Sequence, residues 1–297
     1  EHYRQVIAAL RARGMEPFVT LWHWTLPLWV RDKGGVLAKD FPRWFERYVR
    51  RMAEEFKNGV KFWITTNEPE IYALNSYYRG LWPPQKRGLT SFFRVTYALN
   101  LAHQRAYRTL KNASVGAQVG VAVNQSYFES AGGIVNNMLK WGADHVWNGR
   151  FLWHVKGELD FIGCNYYFHN RINYGFNKNA NKVVSDMNCE VYPEGLYHVL
   201  LGLNKFHKPV YITENGIADT KDSMRAEFIR EHVRWMKKAM EEGVDVRGYF
   251  YWSLLDNFEW DKGFWPRFGL VEIDYKTMAR KVRESAWEYA KIIKTAH

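Results

Sequence analysis

Six short apolar segments, each divided from the next by an amphipathic stretch, constrain this chain more than any other feature of it. Tyr3, Val6, Ile7 and Leu10 recur at helical spacing and stop before Gly14, so a helix precedes the first apolar segment, Pro17-Phe-Val-Thr-Leu21. A second helix follows Asp40, an N-cap residue type, with Phe41, Phe45, Tyr48, Val49, Met52 and Phe56 on its buried side. The spacing then predicts a strand over 60–65, a helix over 91–111, a strand over 118–122 and a helix over 134–146. The same alternation gives strands over 160–165, 210–213 and 246–252, with helical segments over 195–205, 222–242 (ending at Gly243) and 279–294. Residues 170–188 are polar and carry Asn170, Asn173, Asn177, Asn179 and Asn181, which reads as a long loop.

Apolar strands alternating with helices, without a linker or a shift in composition, indicate a single parallel-sheet domain over residues 1–297. Such units close into a barrel or wind into an open sheet. Here the chemistry-bearing residues follow the ends of several different strands. That arrangement favours a (β/α)8 TIM barrel, whose active sites gather at the C-terminal ends of the strands. Only strands three to eight of such a barrel are evident in this sequence. Its 297 residues compare with about 250 for a full barrel.

The formal charge of +11 raises the question of nucleic acid. Its distribution argues against it: Arg43, Arg47, Arg50 and Arg51 interleave with Glu46, Glu54 and Glu55, as on a solvated helix face. The chain shows no zinc-finger spacing, no basic heptads and no RNP signature. No apolar stretch reaches the roughly 20 residues of a membrane span. Two cysteines, Cys164 and Cys189, are too few for a disulfide scaffold, which suggests a cytoplasmic protein. Glu1 is not an initiator methionine.

Two carboxylates stand at strand ends. Glu68 follows Trp63-Ile-Thr-Thr-Asn67 and precedes Pro69; Glu214 follows Val210-Tyr-Ile-Thr213 and precedes Asn215-Gly216, a turn dipeptide. Two carboxyls across a barrel mouth suit retaining glycoside hydrolysis, in which one protonates the leaving oxygen and the other attacks the anomeric carbon. Each could instead cap the following helix or pair with a surface arginine.

The surrounding stretches decide between these. Phe18-Val-Thr-Leu-Trp-His-Trp-Thr-Leu-Pro27, Ile64-Thr-Thr-Asn-Glu-Pro69, Asp160-Phe-Ile-Gly-Cys-Asn-Tyr-Tyr167, Tyr211-Ile-Thr-Glu-Asn-Gly216, Tyr251-Trp-Ser-Leu-Leu-Asp-Asn-Phe-Glu-Trp260 and Arg267-Phe-Gly-Leu270 occur in order. Together they make the chain resemble glycoside hydrolase family 1, the β-glucosidase and β-galactosidase family, over nearly its whole length. The resemblance implies Glu68 as general acid/base and Glu214 as nucleophile, with Tyr167 the candidate donor to Glu214. It implies His23, Asn67 and Glu259 on sugar hydroxyls, Asn165 and Phe268 in the same rim, and Trp252 and Trp260 as aromatic walls against a pyranose face. Without the motif, Trp252 reads as core. Members acting on 6-phosphorylated sugars replace the Glu-Trp pair with Ser and Lys. Glu259-Trp260 would repel a phosphate, which favours non-phosphorylated β-glucosides or β-galactosides. The chemistry requires no cofactor and no metal; no His pair has ligand spacing.

The chain departs from the family at its start. The family's first two βα units, which supply a sugar-binding Gln and an Arg near the nucleophile, have no counterpart here. Three explanations stand: a longer chain, a split enzyme whose missing strands come from another chain or segment, or six strands folding alone. Cys189 stands where the family often has an aglycone-site Trp. The alternative to an enzyme is a non-catalytic sugar-binding barrel fragment.

Overall fold

The computed structural model describes residues 1–180 and 183–295, so Asn181 lies outside the described residues. The first elements are α1 (His2–Arg11), β1 (Phe18–Thr20), α2 (Leu28–Asp32), α3 (Phe41–Phe56) and β2 (Phe62–Asn67). Next come α4 (Pro69–Ala73), α5 (Leu89–Ala113), β3 (Gln118–Ser130), α6 (Ile134–Ala143), α7 (Arg150–Val155) and β4 (Phe161–Ile172). The rest are α8 (Glu194–Asn204), β5 (Val210–Asn215), α9 (Arg225–Glu241), β6 (Val246–Tyr251), β7 (Val271–Ile273), β8 (Arg280–Val282) and α10 (Glu284–Lys294).

Strands β1 to β6 lie in one sheet in chain order. Phe18 pairs with Phe62, Phe62 with Gln118 and Val210 with Val246, each in parallel register. A doubly wound sheet must reverse its strand order at a switch point, whereas barrel strands follow one another in sequence. The observed order is the barrel's. No helix among the described residues is long and apolar enough to cross a membrane.

The chain divides into two compact units, Glu1–Asn124 with Gly149–Gly163, and Gln125–Asn148 with Cys164–His297. In the first unit Phe18 stacks on Phe62 at 4.2 Å between ring centroids, and Phe161 meets both edge-on. Gly120 makes room for that ring: a Cβ there would stand 2.6 Å from Phe161. Phe161 is fully buried, which contributes about 1.5–3 kcal/mol, while Phe18 and Phe62 are half-buried. His103 of α5 ties two layers together, its Nδ1 2.7 Å from Thr65 Oγ1 and its Nε2 2.7 Å from the Glu158 carbonyl. That carbonyl can only accept, so Nε2 carries the proton and Nδ1 accepts from the threonine. Burial, outweighing the carbonyl bond, pulls the His103 pKa down to about 4.

The second unit packs Ile217, Phe228, Ile229, Val233, Tyr251 and Leu270 together. Beside them the Asp256 carboxylate accepts from Arg283 Nη1 and Nη2, both at 3.1 Å, from Arg267 Nη1 at 3.3 Å and from the Gly269 N–H at 2.8 Å. Burial alone would raise the Asp256 pKa; Arg283 and the main-chain N–H groups of Gly269 and Ile273 overcome it and hold the carboxyl below its usual range. A Cβ on Gly269 would stand 2.3 Å from the Asp256 nitrogen, so the backbones approach too closely for any other residue.

The structure differs from the periodicity in four places. α1 is a helix, yet it buries none of its residues, and Tyr3 and Val6 are exposed. In α3, Phe41, Phe45 and Val49 are buried as expected, whereas Tyr48 is exposed. β3 and β4 run well past residues 122 and 165, because polar residues such as Asn124 and Gln125 continue the strand while buried. The stretch read as helix from 279 begins instead as β8, antiparallel to β7. Asp274 closes that hairpin by accepting from the Lys276 N–H and Thr277 Oγ1, and only then does α10 start.

The asparagine-rich stretch is likewise not a plain loop. Asn170 and Asn177 bond each other twice, side chain to side chain at 2.7 Å and side chain to main chain at 2.8 Å. Asn179 Oδ1 accepts the Arg171 N–H at 2.7 Å. Amide side chains here do the pairing that a strand neighbour would do.

Candidate active site

In the first unit, His23, Asn67 and Glu68 come together at the ends of β1 and β2. Asn67 closes β2, is buried, and its main-chain N–H donates to the Trp22 carbonyl at 2.9 Å. Its side-chain nitrogen lies 3.1 Å from His23 Nε2, and its carbonyl accepts Trp24 Nε1 at 2.9 Å. Burial takes the His23 pKa down to about 4, so at neutral pH the ring is uncharged and accepts from the Asn67 amide. Nδ1 then carries the ring proton, which makes His23 a hydrogen-bond donor of fixed direction.

Glu68 follows β2 with φ 41 and ψ 60, in the left-handed region that a residue with a Cβ enters only when its surroundings impose it. Its N–H donates to the Ala122 carbonyl at 2.7 Å, and Pro69 starts α4 immediately afterwards. The chain turns sharply at Glu68 between those two anchors. Glu68 is 5% exposed, and its Oε1 accepts from Asn124 Nδ2 at 3.0 Å. Asn124 was not among the residues singled out from the sequence, although an amide directly after Val121-Ala-Val123 repeats the pattern of Asn67 after Thr66.

The second unit holds the other expected residues. Glu214 lies within β5, one residue before its end, and Oε2 accepts the Tyr167 hydroxyl at 2.8 Å. Phe268, buried, meets the Tyr167 ring edge-on at 6.5 Å. Asn165 is fully buried in β4, and its Oδ1 accepts Thr213 Oγ1 at 2.6 Å. Trp252 follows β6 and is half-buried. Gly216 lies against it, where a Cβ would stand 1.9 Å from the Trp252 carbonyl oxygen. Glu259 and Trp260 form a tight turn: the Glu259 N–H donates to the Gly263 carbonyl at 2.7 Å, and Trp260 has φ 46. Asn215, also not singled out, is fully buried; it accepts from the Tyr249 hydroxyl and donates to the Tyr166 carbonyl, both at 2.7 Å.

Three kinds of comparison with known proteins agree. The profile of glycosyl hydrolase family 1 matches residues 1–154 and 147–297. A 1,4-beta-D-glucan glucohydrolase of Thermotoga neapolitana is 31% identical over 99% of this chain and 77% of its own length. A beta-galactosidase of Saccharolobus solfataricus is 33% identical over 98% of this chain and 69% of its own length. Among solved structures, a beta-glycosidase from Pyrococcus horikoshii superposes with a TM-score of 0.92 at 37% identity, covering 98% of this chain and 74% of that one. A beta-glucosidase from Thermotoga maritima in complex with glucoimidazole gives a TM-score of 0.92 at 30% identity, over 98% and 77%. The fold is that of these (β/α)8 barrels, of which six strands lie in the sheet among the described residues.

Proposed function

Because the chain belongs to glycosyl hydrolase family 1, we propose that it is a retaining exo-β-glycosidase acting as one catalytic domain on non-phosphorylated β-glucosides or β-galactosides. The observation that supports this best is the hydrogen bond from the Tyr167 hydroxyl to Glu214 Oε2. A phenol donating to a carboxylate favours the ionised form, which is the state a nucleophile needs.

On this reading Glu68 gives its proton to the glycosidic oxygen as Glu214 attacks the anomeric carbon. The bond to the aglycone breaks, and an ester to Glu214 forms. The aglycone leaves with the proton from Glu68. Glu68, now ionised, accepts a proton from water as that water attacks the same carbon and releases Glu214. The net configuration is retained after two inversions. His23, Asn67, Asn165 and Glu259 would bond sugar hydroxyls, while Trp252, Trp260 and Phe268 would flank the ring. Glu259 disfavours a phosphorylated sugar through charge.

Replacing Glu214 with Ala tests the assignment on an aryl β-glucoside. Turnover should fall to background, and added azide should restore it by attacking the face that the missing carboxylate leaves open. Unchanged kinetics would sink the nucleophile assignment. Glucoside binding by calorimetry without any turnover in the unaltered protein would support a non-catalytic sugar binder instead.

A further inference from the structure

Two residues along β4 from Tyr167 lies a polar cluster that the proposed chemistry does not use. The side chains of His169 and Glu190 are almost wholly buried, 3% and 4% exposed. His169 Nδ1 is 2.5 Å from Glu190 Oε2, and its Nε2 is 3.1 Å from Oε2 of Glu129, near the end of β3. A carboxylate oxygen only accepts, so each of these contacts needs a proton between nitrogen and oxygen. The ring and the two carboxyls therefore share two protons. Tyr192 stacks on the ring at 4.0 Å, and Tyr127 lies nearly parallel to it at 5.4 Å.

Glu190 belongs to a hairpin over 183–191. Val184 and Glu190 pair antiparallel, the Ser185 N–H donates to the Cys189 carbonyl at 2.9 Å, and the Val191 N–H donates to the Val183 carbonyl at 3.0 Å. The hairpin is tied down in two places. At one, Glu190 meets His169 on β4. At the other, the Asp186 N–H donates to the Ala218 carbonyl at 2.9 Å, and Asp186 Oδ2 accepts the N–H and the hydroxyl of Thr220, both at 2.7 Å. The hairpin thus runs from the strand that carries Tyr167 to the segment that follows Glu214.

We propose that His169 is a proton-dependent strap: bonded to Glu129 and Glu190 at once, it fastens the 183–191 hairpin across β4 and the segment after β5, and loss of one shared proton loosens it. The proposal does not depend on the roles given to Glu68 and Glu214. When one proton leaves, Nδ1 keeps the other for Glu190, the shorter and more buried contact. Nε2 then turns a lone pair toward the Glu129 carboxylate, and that contact becomes repulsive. The ring hangs from one carboxylate instead of standing between two, and Tyr192 loses a fixed platform.

The other described charges around the cluster are few. Arg171 Nε, also on β4, lies 3.7 Å from Glu129 Oε1. On α8, His198 stacks on Tyr127 at 4.5 Å and lies 3.7 Å from Glu194. On α6, Lys140 pairs with Asp144 at 2.5 Å, and on β5 Glu214 is bonded to Tyr167. Burial raises the Tyr192 phenol and the Cys189 thiol, and pushes the Tyr127 phenol up to about 12. These three therefore keep their protons between about pH 5 and about pH 8. His198, lowered by burial, is the neighbour whose titration has to be told apart from that of the strap.

The test is amide hydrogen exchange at Ser185, Asn188 and Val191, followed by NMR from about pH 5 to about pH 8 and expressed as protection relative to an unstructured chain at each pH. Protection should fall by about fivefold or more as pH rises, in a single-proton step. In Glu129→Gln the side-chain amide can donate to an unprotonated Nε2 while Nδ1–H serves Glu190, so both contacts survive with one proton fewer. Protection there should stay within about twofold across the range. His169→Phe keeps a ring against Tyr192 and removes both nitrogens, and its protection should be at or below the alkaline level of the unaltered protein at every pH. Protection that does not change with pH in the unaltered protein overturns the proposal. So does an undiminished fall in Glu129→Gln, which would trace the step to His198 or another group, and so does full protection in a folded His169→Phe. Should His169→Phe fail to fold, the first two measurements still decide.

Discussion

Replacing Tyr167 with Phe removes one oxygen and leaves the ring on Phe268 in place. The deleted hydroxyl donates to Glu214 Oε2 at 2.8 Å in a partly buried setting. A hydrogen bond to a charged group is worth about 1.5–3 kcal/mol. At 1.36 kcal/mol per pKa unit, its loss should raise the Glu214 pKa by about 1–2 units. The sign follows from which form the bond favours: the phenol donates more strongly to the ionised carboxylate than to the neutral acid, so removing it shifts the balance toward the protonated acid. The acidic limb of kcat/KM should therefore move to higher pH by that amount. At a fixed pH on that limb kcat/KM should fall by about 10- to 100-fold, and near neutrality by much less. The assay is the pH profile of kcat/KM on an aryl β-glucoside, with the thermal midpoint measured alongside. A fallen rate with an unmoved acidic limb would refute the reasoning, since it would show that the Tyr167 hydroxyl does not set the titration of Glu214.

Replacing Glu68 with Ala should slow hydrolysis of substrates with poorly acidic aglycones by about 100-fold or more, and that of activated aryl glycosides far less in the first step, because only the former need a proton; equal losses in a leaving-group series would count against the role. Replacing Asp256 with Ala leaves the Arg283 guanidinium buried and unpaired, and denaturant unfolding should show about 3–5 kcal/mol lost, as for other broken buried ion pairs. Because the Asp256 pKa is depressed in the folded protein, the stability it lends is present above the unfolded value and is lost as pH falls through the folded one. His103 and His232 are buried with pKa values pulled down to about 4, so the unfolded chain binds protons that the folded chain refuses. Stability should decline from about pH 6.5 to about pH 4, by up to about 3 kcal/mol for each ring, and a His103→Gln, His232→Gln double variant should flatten that slope in urea titrations.

The elements most legible in the sequence are those whose period the core enforces. β2 and β5 are read nearly as they stand, because Trp63 and Ile64, and Val210 and Ile212, are buried and leave no alternative face to present. The candidate carboxylates are noticeable for a related reason: Glu68 directly before Pro69, and Glu214 directly before Asn215-Gly216, stand where an apolar stretch gives way to a turn. What was not legible was set by partners distant in sequence. β8 has no apolar period of its own, and Val282, which pairs with Val271, is exposed. The bond from Asn170 to Asn177 turns a polar stretch into a closed turn, and composition carries no trace of which amide meets which. The bond from Asn124 to Glu68 depends on register between β2 and β3, where Asn67 lies opposite Ala122 after a shift.

The buried asparagines show how far a sequence signal of this kind reaches. Asn67, Asn124, Asn165 and Asn215 each stand in or at the end of a strand of the sheet, and each is at most 3% exposed. An amide at that depth is tolerable only if its groups are bonded. The bonds found go to a neighbouring strand or to the residues just beyond its end: Asn67 to His23, Asn124 to Glu68, Asn165 to Thr213, Asn215 to Tyr249. Three of these four bonds include a residue of the proposed chemistry other than through packing, as partner or as the asparagine itself. An isolated buried amide in a strand is thus a poorer guide to fold than to function: a leucine would stabilise the strand better, and the amide persists where a carboxylate or imidazole must be held in one orientation. Replacing Asn215 with Leu separates the two roles, because its partners are tyrosines and a carbonyl. It should cost stability through the orphaned Tyr249 hydroxyl while leaving the leaving-group dependence assigned to Glu68 intact, whereas Asn124→Leu should alter that dependence.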